Sequence, residues 1–327
     1  MPIARSAHAN HTGESMCYSA QCWQAYKDYV QEFGAIVDIH EFAKMYGYRK
    51  LTRKTKIPRG MDYQFLDPKS DLESQIKTLI EEWNTEQVAE LEQELFKQVK
   101  RRNDAERTLQ TKTTKKAQED LRISTNKIDQ VKAKIADVKR VEAKIEKDNR
   151  IFPMAYAPIL ISENGQRVVR PMRYLLRPPG APPSFDTDDN RNGTYNARRD
   201  NLAKFWKKQF GYNHGLMVVD TFYENVRLPN GKNQVLQFTP RTGEAMLVPV
   251  LWAHWTGKEG EDDLYSFAAI TDEPEPEVRA AGHDRTIINL KPEYIDAWLN
   301  PDSNNLDALF AMFDDRRHPF YEHQMAA

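Results

Sequence analysis

The chain has 327 residues, enough for one large domain or two modest ones with a sizeable core. Its 47 Lys and Arg residues balance 48 Asp and Glu residues, so no global positive field attracts nucleic acid, and an anionic partner must be met by a local basic patch. Two cysteines are too few for a disulfide scaffold or a cysteine-rich zinc site, and no apolar run approaches the ~20 residues that span a bilayer, which favours a soluble protein of a reducing compartment.

The N-terminal segment, residues 1–16, is small and polar and resembles a disordered leader rather than a secretory signal. It is followed directly by Cys17. A cysteine with a free α-amine can trap an aldehyde, because the amine forms an imine and the thiol then closes a five-membered thiazolidine ring. Residues 1–16 would block that amine, so this chemistry needs either cleavage of the leader or translation from Met16 with loss of that methionine. We expect the active form to begin at Cys17; a simple packing role for this cysteine is the alternative.

Apolar residues at helical spacing predict short amphipathic helices over residues 22–34 and 39–46. The stretch that follows, residues 48–56, is rich in Lys and Arg and leads to Pro58 and Gly60. It predicts a basic loop, which is either simply solvated or in contact with phosphate.

A long charged segment runs from Asp71 to Phe152 without Gly or Pro. Its apolar residues recur every three and four positions, lose this spacing near residues 110–115, and then resume it. This pattern predicts two heptad-patterned helices that form an antiparallel coiled-coil hairpin, inserted over residues 69–149. Such a hairpin either binds a partner, which could be a second copy of the chain, or is a passive insertion.

After Pro153 the composition changes to short strand-like runs separated by turn signals, which is typical of a barrel or a sharply twisted sheet. Strands are expected at Tyr156–Ile161, Arg167–Leu176, Gly215–Tyr223, Val235–Phe238, Ala245–Trp252 and Leu264–Ile270. A helix is expected over residues 199–210. The tail, residues 301–327, is expected to begin as a helix and to end as a surface appendage.

Four stretches carry side chains that could cooperate in one chemical site: Met16-Cys17, Tyr195–Asp200, Val219–Glu224 and Gly282–Arg285. Each stretch also has a structural explanation when it is taken alone. Asn196 could be the N-cap of a helix, and Glu224 an exposed strand-end carboxylate. His283 and Asp284 could simply satisfy nearby backbone groups.

In this order, Met-Cys, Asn-Ala-Arg, Phe-Tyr-Glu and His-Asp-Arg resemble the motifs of the SOS-response-associated peptidase (SRAP) family, whose members crosslink to abasic sites in single-stranded DNA. The segment ending at Pro158 is similar to the family's Asn-x-Ala-Pro, and Met172–Tyr174 is similar to its Met-Arg-Trp. The resemblance covers residues 17–68 and 150–300 and implies an α+β fold with a mainly-β, barrel-like core. The sequence departs from the family at Tyr174 and Asn225, where Trp is usual, and at Asp200, where Glu is usual.

The resemblance also implies roles for the matching residues. Cys17 would bond to C1′ of the ring-opened abasic sugar, and Asn196 would hold the linkage by hydrogen bonds. Glu224 would act as acid and base near the amine, and His283 would shuttle protons to the sugar oxygen. The residues implied to contact DNA are Arg198, Arg285, Tyr174, Arg173 and Pro158.

The leading hypothesis is therefore a cytoplasmic enzyme, nucleoid-associated when bound to DNA, that crosslinks to abasic single-stranded DNA and shields the lesion. Self-cleavage that exposes Cys17 and strand cleavage by β-elimination would be associated peptidase and lyase activities. We expect no metal, no cofactor and no membrane. Two alternatives stay open. A cysteine peptidase would cleave unrelated peptides in trans, and a non-catalytic scaffold with a partner-binding hairpin would keep its biology after Cys17→Ala.

Overall fold

The computed structural model describes residues 19–187, 194–227, 231–258 and 262–326. Its helices and strands, in chain order, are β1 (Ser19–Cys22), α1 (Tyr26–Phe33), β2 (Ile36–Val37), α2 (Ile39–Thr52), α3 (Arg59–Asp62), α4 (Asp71–Thr111), α5 (Lys115–Lys139), α6 (Ile145–Asp148), β3 (Arg150–Ile151), β4 (Tyr156–Glu163), β5 (Gln166–Tyr174), β6 (Asn196–Arg198), β7 (His214–Arg227), β8 (Asn233–Pro240), β9 (Met246–Trp255), β10 (Leu264–Asp272), α7 (Pro276–Ala280), β11 (Thr286–Ile287), α8 (Ile295–Leu299), α9 (Leu306–Asp314) and β12 (Tyr321–Met325).

The chain divides into two compact units. Among the described residues, the β unit comprises 19–41, Thr55–Met61, and those from Ile145 onward. The helical unit comprises Phe42–Lys54 and Asp62–Lys144.

Five strands of the β unit close into a barrel. β4 pairs antiparallel with β5 and with β7, and β9 pairs antiparallel with β7 and with β10. The parallel pairing of β5 with β10 completes the ring. Closure pairs each of these strands on both sides, which removes the exposed edges that an open sheet would present. The predicted α+β fold with a mainly-β, barrel-like core is confirmed.

The core of the β unit follows the two-residue period of its strands. On β9, Met246, Val248 and Val250 alternate into one apolar cluster, and Ile159 and Ile161 of β4 enter the same cluster. Each of these side chains is at most 1% exposed. Burying a Val, Ile or Met side chain stabilises the fold by about 1.5–3 kcal/mol, so the alternating positions hold the barrel together.

The expected helix over residues 199–210 is wrong. A single 3-10 turn, Arg199–Asn201, is followed by irregular turns as far as Tyr212. The amide of Lys204 donates to the carbonyl of Asn201 three residues back, while the amide of Trp206 donates to the same carbonyl five residues back. The segment therefore buries apolar residues at helical spacing, but its hydrogen bonds span different numbers of residues and do not form the regular four-residue series of an α-helix.

The C-terminal segment is part of the sheet, so the expectation of a surface appendage is also wrong. The predicted helix is present as α9, but β12 then pairs antiparallel with β8 along its whole length. Tyr321 is 2% exposed and packs edge-on against Phe222 at a centroid distance of 5.1 Å. Arg316 forms ion pairs with Asp272 and Glu275, which fixes the segment that leads into β12.

In the helical unit, α4 and α5 form the long helix pair that the heptad spacing predicts. Ser70 caps α4 by accepting a hydrogen bond from the amide of Glu73, and Thr114 caps α5 by accepting one from Ala117. Apolar side chains such as Ile76 are buried within the unit. Within the described ranges, no helix combines the length and the apolar character that a membrane crossing requires.

The predicted basic loop is partly helical, because α2 continues to Thr52. Three of its five cations are compensated within the helical unit. Arg49 pairs with Asp62, and Lys50 pairs with Glu82. Arg53 pairs with two glutamates of α4, and its guanidinium lies over the ring of Trp83. Lys54 and Lys56 are exposed, and among the described residues no carboxylate lies within 4.0 Å of either, so these two lysines remain available to a phosphate.

His214, at the start of β7, is a buried histidine that the sequence did not single out. Its ring stacks on Trp298 at a centroid distance of 3.8 Å. Because the amide of Gly211 can only donate, Nε2 must accept that bond, and Nδ1 carries the hydrogen that it donates to the carbonyl of Trp298. The neutral ring is therefore fully hydrogen-bonded, and burial lowers the pKa of His214 to about 3.

This histidine predicts a loss of stability in acid. The unfolded chain takes up a proton at His214 near pH 6.5, whereas the folded protein does not until about pH 3. The free energy of unfolding should therefore fall by roughly 3 kcal/mol between about pH 7 and pH 4 through this residue. Urea denaturation at both pH values should show this dependence in the wild type and a smaller one in His214→Gln. An equal dependence in the two proteins would contradict the assignment.

Candidate active site

Strand β1 brings the beginning of the described chain to β7. Ser19 lies opposite Tyr223, and Ala20 lies opposite Phe222 in antiparallel register. Glu224 is therefore the position on β7 directly beyond the partner of Ser19. Cys17, the predicted nucleophile, and the predicted leader 1–16 lie outside the described residues.

Glu224 and His283 form a buried acid–base pair. His283 Nε2 lies 3.0 Å from Glu224 Oε2, and both side chains are completely buried. The alternative of an exposed strand-end carboxylate is therefore wrong for Glu224. Burial lowers the pKa of His283 and outweighs the carbonyl of Arg285 and the carboxylate of Asp284, which both raise it. The imidazole is thus predominantly neutral near pH 7.

The hydrogen on His283 can occupy either ring nitrogen. Nδ1 lies 2.9 Å from the carbonyl oxygen of Arg285, to which it can donate, and 3.2 Å from the amide of Arg285, from which it can accept. In the first case Nε2 presents a lone pair towards the Glu224 carboxyl group 3.0 Å away, and in the second case it presents a hydrogen. The imidazole can therefore take or give a proton at the nitrogen that faces Glu224, as proton exchange requires.

Gly282 explains how the histidine loop reaches β7. Its φ of +94° lies in the left-handed region that favours glycine, and a Cβ there would lie 3.1 Å from Val226 Cγ1. Val226 and Glu224 are two residues apart and so share one face of the strand. The glycine thus lets the loop that precedes β11 pack closely on the face that carries Glu224.

Asn196 lies on a strand and not at a helix N-terminus. It is the first residue of β6 and pairs in parallel with Ala269 of β10. The hydroxyl of Tyr174 lies 3.3 Å from Asn196 Oδ1, to which it donates. The N-cap alternative is therefore wrong. Two residues further along β10, Thr271 pairs with Ile287 of β11, so one strand positions both Asn196 and the segment that follows His283.

The predicted DNA-contacting residues occupy two kinds of environment. Arg198 and Arg285 line a cleft of about 390 Å³ together with Arg199. Within it, Arg198 forms a bidentate pair with Asp200 at 3.0 and 2.8 Å, and Arg285 is only 8% exposed. The cleft therefore brings three guanidinium groups together with three carboxylates, those of Asp200, Asp272 and Glu273, beside the end of β10.

Arg173, Tyr174 and Pro158 are internal. Arg173 forms a fork with Asp186 at 2.5 and 3.0 Å. Burial raises the pKa of Asp186, but hydrogen bonds from Arg177 and Arg173 outweigh burial and hold this pKa below its usual range. Tyr174 is 4% exposed and stacks on Phe267. Pro158 is buried on β4. DNA contact by these three stays a prediction of the family resemblance alone.

Arg150 is a site residue that the sequence analysis missed. Its guanidinium donates to Ser19 Oγ at 3.0 and 3.1 Å and lies 3.6 Å from the ring centroid of Tyr223. It therefore ties the first described residue to the neighbour of Glu224. No motif marks Arg150, because it lies at the base of the helical insertion and reaches the site only through the pairing of β3 with β1. In the described part of the chain, no three His, Cys, Asp or Glu side chains are grouped as a metal ion would need.

The fold and the site define an α+β barrel protein with a buried acid–base pair at the end of its N-terminal strand. Residues 107–325 match the family model described as SOS response associated peptidase (SRAP). The match covers more than half of the chain, and the chain belongs to this family. The matched region includes Asn196, Glu224 and His283 but not Cys17. Membership supports a DNA damage-related function.

Solved bacterial structures are similar to the chain at low sequence identity. A protein from Bordetella bronchiseptica is 19% identical, with 55% of this chain and 87% of that chain covered and a TM-score of 0.45. A protein from Bacteroides thetaiotaomicron is 13% identical, with 59% and 88% covered and a TM-score of 0.46. A phage-related protein from Bordetella bronchiseptica is 18% identical, with 57% and 84% covered and a TM-score of 0.44. No curated protein matches the chain significantly.

Proposed function

We propose that this protein bonds covalently, through Cys17, to abasic sites in single-stranded DNA. The observation that carries the proposal is the buried Glu224–His283 pair beside the strand that continues from Cys17. Two residues of extended chain span at most about 7 Å, so Cys17 is tethered close to Ser19. Ser19 in turn is paired with the neighbour of Glu224.

The chemistry uses groups that this chain supplies. The α-amine of Cys17 attacks the C1′ aldehyde, and loss of one water gives an imine. The thiol then adds to the imine carbon, and its proton passes to the nitrogen, which closes the thiazolidine ring. Glu224 would deliver and remove these protons, and His283 would exchange protons with the sugar oxygen. Positioned proton transfer of this kind accelerates such steps by roughly 10²–10⁴-fold.

Cys17 rather than Cys22 is the reactive cysteine in this proposal. Cys22 is completely buried on β1, and its Sγ lies 3.4 Å from Met217 Sδ. Burial raises the pKa of the Cys22 thiol well above its usual range, with a smaller contribution from Asp220. A thiol that neither ionises nor reaches solvent is inert, which leaves Cys17 as the nucleophile.

The DNA strand would enter along the arginine-lined cleft. Guanidinium groups suit phosphate oxygens because they can donate two parallel hydrogen bonds. Arg198 would exchange its carboxylate partner Asp200 for a phosphate, and Arg285 would act from within the wall of the cleft. In this proposal residues 17–68 and 150–300 form the catalytic core, the hairpin 69–149 is inserted into it, and residues 1–16 are absent from the active form.

Two associated activities belong to the same proposal. Cleavage of the bond between Met16 and Cys17, with help from Glu224 and His283, would be the peptidase activity that exposes the amine. β-Elimination from the imine would cleave the DNA strand. Shielding of the lesion follows from the covalent bond itself.

Intact mass spectrometry tests the proposal. Protein that begins at Cys17, incubated with a single-stranded oligonucleotide carrying one abasic site, should give a product with the summed mass of the two less one water. The same oligonucleotide with an intact base should give none, and neither should protein that retains residues 1–16. An adduct on a chain that still carries Met1, or no adduct on a chain that begins at Cys17, would contradict the proposal.

A further inference from the structure

The distal part of the long helix pair, residues 97–122, which we call the hairpin tip, carries a strong excess of positive charge. It has nine basic residues and four acidic ones, a net charge of +5 in a chain whose net charge is −1. The basic residues are Lys97, Lys100, Arg101, Arg102, Arg107, Lys112, Lys115, Lys116 and Arg122. This local excess is the kind of basic patch that a near-neutral chain would need to meet a polyanion.

The rest of α4, residues 71–96, has eight acidic residues and one lysine, and four of the acidic residues pair with cations elsewhere in the helical unit. Glu82 pairs with Lys50, and Glu92 pairs with Lys139. Glu86 and Glu90 both pair with Arg53. Half of the carboxylates in this acidic segment therefore already hold cations of their own chain, which weakens the segment as a partner for the hairpin tip of a second copy.

In the hairpin tip, the arginines and the lysines differ in whether a carboxylate lies close to them. Each of the four acidic residues lies within 4.0 Å of one arginine, as Arg101–Asp120, Arg102–Glu106, Arg107–Asp104 and Arg122–Glu119. Among the described residues, no carboxylate lies within 4.0 Å of any of the five lysines. The net charge of the tip is therefore carried entirely by exposed lysine ammonium groups.

Three of these lysines share one groove. Lys97 and Lys100 of α4 and Lys116 of α5 line a groove of about 480 Å³ between the two helices. The carboxylates of Asp104 and Asp120 also line it, and each of them is paired with an arginine, so the lysines give the groove its excess of positive charge. Lys116 also lies in the first turn of α5, which contains no acidic residue. The helix dipole disfavours cations in that position, and a bound anion would offset the cost.

We propose that this groove is a second DNA-contacting surface, which binds the phosphate backbone outside the reacting site. The proposal rests on the proposed function for its choice of DNA as the polyanion. Lysine ammonium groups that meet phosphates release condensed counterions, so the groove adds affinity that depends on salt and not on sequence or damage. It would hold the protein on DNA before and after it meets a lesion.

The test compares two triple variants with equal charge change. Lys97→Ala/Lys100→Ala/Lys116→Ala removes the groove lysines. Lys127→Ala/Lys132→Ala/Lys134→Ala removes three lysines of α5 that do not line the groove. Alanine is the strongest helix former, so both variants keep the helix pair, which circular dichroism checks. Affinity for an undamaged single-stranded oligonucleotide is measured by fluorescence anisotropy across a salt series.

We expect the groove variant to bind on the order of 10- to 100-fold more weakly at about 0.1 M salt, with a salt slope reduced by about 2. The control variant should stay within about threefold of the wild type. Equal weakening in both variants, no weakening in either, or a lysine-dependent shift from monomer to dimer in sedimentation would overturn the proposal. Crosslinking to abasic DNA, scored separately at saturating protein, distinguishes the two ideas. Groove-dependent binding without an adduct would refute the proposed function alone, and an adduct without groove-dependent binding would refute the groove alone.

Discussion

Replacing Cys17 with alanine in a chain that begins at this residue should abolish the stable adduct with abasic DNA but leave a reducible one. Alanine keeps the α-amine, whose pKa of about 7.7–8.0 leaves a nucleophilic fraction near neutrality, so an imine still forms. It lacks the thiol whose intramolecular attack traps that imine as a ring. Without reductant, mass spectrometry should therefore show no adduct, and with borohydride it should show the reduced amine adduct.

Cys22→Ala is the matched control, since it removes the other cysteine of the chain. The Cys22 thiol is buried and held in its neutral form, so this variant should give the same stable adduct as the wild type. A stable, unreduced adduct in Cys17→Ala would show that the thiol plays no part. Loss of the adduct in Cys22→Ala, with folding intact, would assign the chemistry to the wrong cysteine.

Much of the fold could be predicted from local sequence pattern. The helix pair follows from a three- and four-residue apolar spacing that persists through α4 and α5, and the strands of the barrel follow from alternation between turn signals. The helical spacing and the strand alternation each lie within a single element. They can therefore be recognised without knowing which other element packs against it. The expected helix over residues 199–210 is absent because apolar spacing alone does not determine hydrogen bonding. The spacing there is helical, but the backbone hydrogen bonds are not those of an α-helix.

The pairing of strands that are far apart in the sequence could not be predicted. β12 lies against β8, about eighty residues earlier, and the residues after Tyr321, which are all exposed and mostly polar, give little sign of a strand. β6 is only three residues long and is a strand because β10 is available beside it, not because of its own composition. Such pairings depend on long-range closure, which no local pattern encodes.

In the candidate site, likewise, the sequence identified residues but not how they pack together. The family motifs identified Glu224 and His283, which are 59 positions apart, but not that both would be fully buried and 3.0 Å from each other. Nor did any motif indicate that Tyr174 would turn its hydroxyl to Asn196 inside the core. Residue type suggests chemistry, whereas burial and proton state arise only when distant segments are packed together.

Glu224→Gln should slow adduct formation by roughly 10²–10⁴-fold without unfolding the protein. Glutamine has nearly the same shape and can occupy the same buried space beside His283 Nε2, which lies 3.0 Å from Glu224 Oε2 in the wild type. It cannot accept or release a proton at neutral pH, so proton exchange with the amine and with the imidazole stops. Single-turnover rates with abasic single-stranded DNA measure the effect, and binding of undamaged DNA should be unchanged.

Asp284→Asn is the matched control for the loss of one carboxylate beside His283. Asp284 is 54% exposed, and its Oδ1 lies 4.0 Å from Nδ1 on the other side of the ring. Solvent screens such a carboxylate strongly, so this variant should stay within a few-fold of the wild-type rate. If Glu224→Gln and Asp284→Asn behaved alike, the buried pair would be a structural contact and not a proton-transferring one.

The pH dependence of the rate of adduct formation further distinguishes a proton-transferring Glu224–His283 pair from a structural one. Because burial lowers the pKa of His283, the ring is neutral over the range in which the α-amine of Cys17 loses its proton. The wild-type rate should therefore rise with pH towards about 8 as the amine deprotonates, and protonation of His283 should slow it only below about pH 6.5. In Glu224→Gln the rise above neutrality should persist, since the amine remains, at a uniformly lower rate. A structural pair would instead leave the profile unchanged in height and shift only the pH at which the protein unfolds.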